Sequence, residues 1–217
     1  MYQTRQLQNG VSIMDYLLEK KKLNLIPMRN GILKFNKEEK LMLFKVLNRR
    51  DAKNFQYINH DYVSAIISIT DSDKTNIAFE KTAENNIRSI LLLQFDDVEA
   101  HSHAPNEVVI SNEDAQNIVN FVNANKNKVD CFVVNCEGGV SRSAGCCAAI
   151  MLALTGDDSA IFNNPSKCPN MTVYRKVLNA FWDAGYFSED TKGLSEEEII
   201  CKEKNNIEIW REANDIT

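Results

Sequence analysis

Val133-Val134-Asn135-Cys136-Glu137-Gly138-Gly139-Val140-Ser141-Arg142-Ser143-Ala144-Gly145 is the stretch on which the fold turns. Before it, Val129 to Val134 is continuously apolar apart from Asp130, the composition of a strand buried on both faces. After it, Ser143 to Thr155 is a small-residue helix ending near Gly156. Between strand and helix, Gly138 and Gly139 let the backbone curl without Cβ clashes. Such a curl, feeding a helix that begins at about Arg142, turns successive N–H groups inward and adds the positive end of a helix dipole. The resulting nest is sized for a phosphate.

Cys136 stands at the entrance to that nest. Helix N-termini and neighbouring arginines favour thiolate over thiol, which makes a cysteine a nucleophile at neutral pH. Arg142 brings a planar fork of donors able to hold two phosphate oxygens at once, which a lysine could not reproduce. Ser143 offers a hydroxyl that can hydrogen-bond the sulfur and help it leave. The backbone from Glu137 through Gly138, Gly139, Val140 and Ser141 to Arg142 would line the anion. A cysteine and an arginine at this spacing are weak evidence alone; the preceding strand, the glycines, Ser143 and the small-residue helix give the pair its meaning.

Outward from the loop the chain alternates strands and helices. Leu41 to Leu47 and Tyr62 to Ile69 read as strands, the second closed by the turn residues Thr70-Asp71-Ser72-Asp73, and Ser89 to Phe95 reads as a third. A polar helix is expected through Phe55. Ser111 with Asp114 has the spacing of a capping box, and Ala115, Ile118, Val119 and Val122 repeat at helical spacing, which predicts a helix over 112–125. Further helices are expected over 14–25, 171–184 and 195–213. This rhythm predicts a three-layer α/β fold with a central, mostly parallel sheet of about four to five strands flanked by helices. Ligands of such sheets bind beyond the carboxyl ends of the strands, where the Cys136 loop lies. A single domain is expected, with a core over about 42–187, an N-terminal extension over 1–41 and a C-terminal helical extension over 188–217.

With 44% apolar and 25% charged residues in 217, the composition is that of a packed globular chain. No apolar run approaches the roughly 18 residues that span a bilayer, and Met1-Tyr2-Gln3-Thr4-Arg5-Gln6 leads into no signal-type stretch. A cytoplasmic protein is expected, and its six cysteines are expected to be reduced. A formal charge of −5 argues against broad nucleic-acid binding, so any anion site must be built locally.

Cys136-Glu137-Gly138-Gly139-Val140-Ser141-Arg142-Ser143 resembles the signature of the protein tyrosine and dual-specificity phosphatase superfamily, most of all its small bacterial members. Ile66 to Thr70, Phe95-Asp96-Asp97 and Pro169 to Arg175 are similar to stretches of the same proteins, so the likeness covers about 42–187. It implies a sheet flanked by helices, a phosphocysteine intermediate, a phosphorylated protein or small phosphoester as substrate, and neither metal nor cofactor. One departure is Asn135, where the family usually has histidine; an amide can still hydrogen-bond the loop.

A thiolate that displaces an ester oxygen leaves an alkoxide or phenoxide, which a nearby carboxylic acid can protonate. In the family an aspartate upstream of the cysteine does so, which makes Asp97 the candidate, Asp96 the second choice and Glu99 the third. Neighbouring strand residues point to opposite faces, so only one of Asp96 and Asp97 should face the pocket. His101 and His103 lack an identifiable third ligand for a metal. Asp71 and Asp73 lack the glycine and closing glutamate of a calcium loop and read as turn residues. Cys146 and Cys147 are either small core residues or redox partners of Cys136. A serine hydrolase is excluded by Ser143 in place of the second glycine of the nucleophile elbow and by the lack of any histidine after residue 103. The remaining alternative to a phosphatase is a catalytically weak module that binds a phosphorylated partner without turning it over.

Overall fold

The computed structural model describes residues 42–58, 60–80, 85–99, 104–187 and 195–214. The helix expected over 14–25, His101 and His103 lie outside these residues. The sheet has four strands, β1 (Leu43–Leu47), β2 (Ser64–Thr70), β3 (Ile87–Gln94) and β4 (Cys131–Asn135), in the order β1-β4-β2-β3 with every pairing parallel. The α/β class and the parallel sheet agree with the alternation in the sequence. Strand limits differ by a few residues. Thr70, expected in a turn, is the last residue of β2 and pairs with Gln94.

The inner strands β2 and β4 are buried along their whole length, whereas the edge strands β1 and β3 are partly exposed. That difference explains why Ser-Ala-Ile-Ile-Ser-Ile-Thr and Cys-Phe-Val-Val-Asn show no alternation of polar residues. Alternation persists in the contacts instead. Ala65, Ile67 and Ile69 of β2, with Phe132 and Val134 of β4, face the main core, where helices α2 (Asn112–Asn125), α3 (Arg142–Thr155) and α5 (Met171–Asp183) pack. Ile66, Cys131 and Val133 face the other way and meet Phe55 of α1 (Arg49–Phe55) in a smaller cluster. Burying each of these large apolar side chains contributes on the order of 1.5–3 kcal/mol.

Helix ends follow local chemistry. Ser111 and Asp114 form the expected capping box at α2, and Ser195 with Glu198 forms another at α6 (Glu196–Ala213). A short helix α4 (Ser159–Phe162), which has no clear sequence signal, connects α3 towards α5. Among the described residues no helix is long and apolar enough to cross a membrane.

Because all four strands run the same way, their carboxyl ends share one edge of the sheet. Leu47 of β1 and Ser68 of β2 both pair with Asn135. The segments that follow therefore converge: Asn48-Arg49 after β1, Asp71 to Lys74 after β2, Phe95 to Asp97 after β3, and Cys136 onward after β4.

Candidate functional site

The loop after β4 closes around a sulfur. The Gly139 N–H donates to Cys136 Sγ at 3.3 Å, and Ser143 Oγ lies 3.0 Å from the same atom. Gly139 has φ +68°, and a Cβ there would sit 2.6 Å from the Asn48 nitrogen and 2.7 Å from the Leu47 carbonyl carbon. Glycine is required on both counts, left-handed backbone and contact with the end of β1. Gly138 differs from the sequence reading: it has no atom within 4 Å of a built Cβ and no positive φ, so the curl does not depend on it. Helix α3 starts at Arg142, as expected, and its cap residue Ser141 makes no side-chain cap bond. The Ser141 hydroxyl instead donates to Asp97 Oδ1 at 2.7 Å.

Cys136 and Arg142 are 1% and 2% exposed, so both sit at the floor of the loop. The guanidinium is held from outside: Nη1 donates to the Phe95 carbonyl at 2.6 Å and Nη2 pairs with Asp71 Oδ1 at 2.5 Å. Nε is buried without a hydrogen-bond partner, 3.8 Å from Asp97 Oδ2. The Nε–H and one proton on each terminal nitrogen thus remain for an anion.

The three candidate acids occupy different places. Asp97 lies beside the loop, its Oδ1 accepting from Ser141 Oγ and, at 3.1 Å, from Asn170 Nδ2. Asn170 is also the cap of α5, its Oδ1 accepting from the Val173 N–H at 2.9 Å, so one side chain ties Asp97 to the start of a helix. Asp96 turns away and accepts from Ser72 N, Ser72 Oγ and Val108 N at 2.9, 2.7 and 2.8 Å. The Val108 N–H above all, with both groups of Ser72, holds its carboxyl below the ordinary range. Glu99 accepts from the Met171 and Thr172 N–H groups at 3.0 Å each and from the Thr172 hydroxyl, closing the first turn of α5. Asp96 and Glu99 thus accept mainly from backbone N–H groups and neighbouring hydroxyls, whereas Asp97 alone of the three touches the loop itself, through Ser141.

Around the loop the structure adds Arg49, Lys74 and Lys167, which the sequence did not single out, and gives new partners to residues that it did. Asp71, read as a turn residue, is the ion-pair partner of Arg142; burial alone would raise its carboxyl, but hydrogen bonds from Lys74 and Arg142 outweigh that and lower it. Glu137, beside Cys136, pairs with Arg49 at 2.9 Å and lies 3.7 Å from Lys74. Lys167 Nζ donates to the Gly139 carbonyl at 2.6 Å, and burial lowers its proton affinity. Asn135 Oδ1 is buried with no partner. Cys146 and Cys147 lie in the main core, and burial pushes their thiols up, Cys147 to about 12, which fits small core residues. Among the described residues no cluster of histidine, cysteine and carboxylate could hold a metal.

No family model and no curated protein matches the chain. Solved structures similar to it include the crystal structure of DUSP15, at 17% identity and TM-score 0.42, covering 79% of this chain and 92% of that one. The crystal structure of PTPMT1 in complex with PI(5)P is similar at 13% identity and TM-score 0.34, covering 79% and 94%. Tk-PTP in its active form is similar at 11% identity and TM-score 0.34, covering 80% and 91%. All three are protein tyrosine or dual-specificity phosphatases. The likeness is distant in each case, and the chemistry has to be read from the loop itself.

Proposed function

We propose that the chain is a phosphomonoester hydrolase of the protein tyrosine or dual-specificity type, working through a phosphocysteine. The observation that carries this reading is the pairing of a sulfur met by the Gly139 N–H and the Ser143 hydroxyl with a buried arginine whose Nε–H has no partner, a few ångströms from an aspartate. An apolar cysteine pocket would need none of these groups, and an unpaired buried guanidinium N–H costs free energy unless an anion takes it up.

In this reading Cys136 Sγ attacks phosphorus, the P–S bond forms as the P–O ester bond breaks, and the electron pair goes to the leaving oxygen, which takes a proton from Asp97. Negative charge spread over the phosphoryl oxygens is met by Arg142 and by the N–H groups of Glu137 to Arg142, the type of preorganised donor set that usually dominates phosphoryl transfer. A water, giving a proton to Asp97, then attacks phosphorus, and the P–S electrons return to sulfur, where the Ser143 hydroxyl stabilises the thiolate. Asp71 and Phe95 fix the plane of the guanidinium; Ser141 and Asn170 fix Asp97.

A binding-only module is the second reading, and the unpartnered Asn135 Oδ1 behind the cysteine favours keeping it. Hydrolysis of p-nitrophenyl phosphate separates the two. The phosphatase reading expects metal-independent, vanadate-sensitive turnover that disappears in Cys136→Ser. Phosphate or phosphopeptide binding without release would favour the module, and equal rates in wild type and Cys136→Ser would remove the thiol mechanism.

A further inference from the structure

The connection between α4 and α5 holds three successive carbonyls of the phosphate loop. Lys167 Nζ donates to the Gly139 carbonyl at 2.6 Å, the Cys168 N–H to the Val140 carbonyl at 3.1 Å and the Asn170 N–H to the Ser141 carbonyl at 3.2 Å. In a trans peptide the C=O and the N–H that follows it point to opposite sides, and the described residues contain no cis bond. Carbonyls held on the outside therefore turn the next N–H groups, those of Val140, Ser141 and Arg142, towards the anion. The middle link continues into another element. The Lys167 carbonyl belongs to the same peptide as the Cys168 N–H, and it accepts from Asn206 Nδ2 of α6 at 3.1 Å.

Packing alone does not explain Asn206. It is 2% exposed, on an 18-residue helix whose other buried residue is Ile199. Asparagine is a poor helix former, and a buried amide costs free energy unless its N–H groups are taken up. Here Nδ2 also donates to the Phe162 carbonyl at 2.8 Å, at the end of α4. The bond to Phe162 would suffice to dock the helix. The bond to Lys167 adds a row of donors and acceptors: Asn206 to the Lys167 carbonyl, Cys168 to the Val140 carbonyl, and the Ser141 N–H facing the anion. Hydrogen bonds in such a row polarise one another, which strengthens the last donor.

Resting on the phosphatase reading, we propose that Asn206 is a positioning residue for the phosphate loop, acting from a helix outside the stretch that resembles the phosphatases. Through the peptides Lys167-Cys168 and Val140-Ser141 it sets the direction and the donor strength of the Ser141 N–H. Ser141 has a second duty, since its hydroxyl holds Asp97, so its orientation bears on the anion and the acid together. Ion pairs of Lys202 with Asp158 and of Glu196 with Arg175 keep α6 against the core.

The test compares Asn206→Ala with Ile199→Ala, which removes packing from the same helix and leaves the row intact. Inorganic phosphate is titrated into each protein and followed by amide-proton NMR, alongside p-nitrophenyl phosphate kinetics. In wild type the Ser141 and Cys168 amide protons should both move downfield as phosphate binds, because the row tightens as a unit. In Asn206→Ala that movement should shrink, and phosphate affinity and kcat/KM should each fall about three- to tenfold. Ile199→Ala, although less stable to heat, should keep the shifts, the affinity and the rate. Equal losses in the two variants, or wild-type shifts and kinetics in Asn206→Ala, overturn the proposal. If Asn206→Ala does not fold, the wild-type titration decides: a Cys168 amide that stays still while Ser141 responds overturns the proposal, and joint movement upholds it. Wild type that binds phosphate without turnover sinks the phosphatase reading and leaves this measurement standing, whereas wild type that binds none sinks both.

Discussion

Cys136 and the pair Cys146-Cys147 lie within three turns of chain and all belong to the main core, yet the polar groups aimed at their sulfurs differ. Around Cys136 the neighbours are a peptide N–H, a hydroxyl and a loop anchored by Arg142, Arg49 and Lys167. Around Cys146 and Cys147 they are the apolar residues of the main core, and burial raises both thiols. Low exposure therefore does not separate the proposed nucleophile from packing residues. The donors aimed at the sulfur do, and those come from the turn between a central strand and a helix.

The largest expected contrast comes from this comparison. Cys136→Ser should bring p-nitrophenyl phosphate hydrolysis to background with an unchanged thermal midpoint, whereas Cys146→Ala and Cys147→Ala should keep the activity and lose about 1–2 kcal/mol of stability in denaturant titrations. Next, Arg142→Lys should lower kcat by about 10²-fold or more, since a lysine cannot supply the fork and leaves Asp71 and the Phe95 carbonyl poorly matched.

The two adjacent aspartates sharpen the distinction between chemistry and support. Asp97→Asn should lower turnover by about 10²-fold with little change in stability. Asp96→Asn should instead destabilise the fold with a pH dependence. The Asp96 carboxyl is held below its ordinary value of 3.8, so it stabilises the folded state above that pH and the contribution is lost as pH falls through the lower folded value. The variant should accordingly show a flatter acid limb in stability against pH. The two glycines part in the same way: Gly139→Ala should cost about 1–2 kcal/mol for the left-handed backbone and more for the clash with Asn48, while Gly138→Ala, the smallest effect of all, should stay within about 0.5 kcal/mol.

Contiguity decides how much of this was legible in the sequence. Cys136 to Ser143 is one unbroken segment, so strand, curl and helix start could be read locally, and Asp97 follows from the end of β3. Even so, the sequence could not separate the glycine that the backbone needs from its neighbour. Asp71, Arg49 and Lys167 reach the loop only through tertiary placement. Asp71 follows a strand that lies next to β4, and Arg49 follows the strand on its other side, but the order β1-β4-β2-β3 leaves no trace in the chain. Lys167 sits in a connection without periodicity. Knowing the strand order would have pointed to Asp71 and Arg49; nothing local points to Lys167.

The most direct test of the central claim is to mix the protein with p-nitrophenyl phosphate, quench in acid within the first turnover and measure intact and peptide masses. A phosphoryl group on the peptide containing Cys136, absent in Cys136→Ser and accumulating when the second step is slowed by Ser143→Ala, is the predicted result. Phosphate released at the normal rate with Cys136 never carrying the group would contradict it.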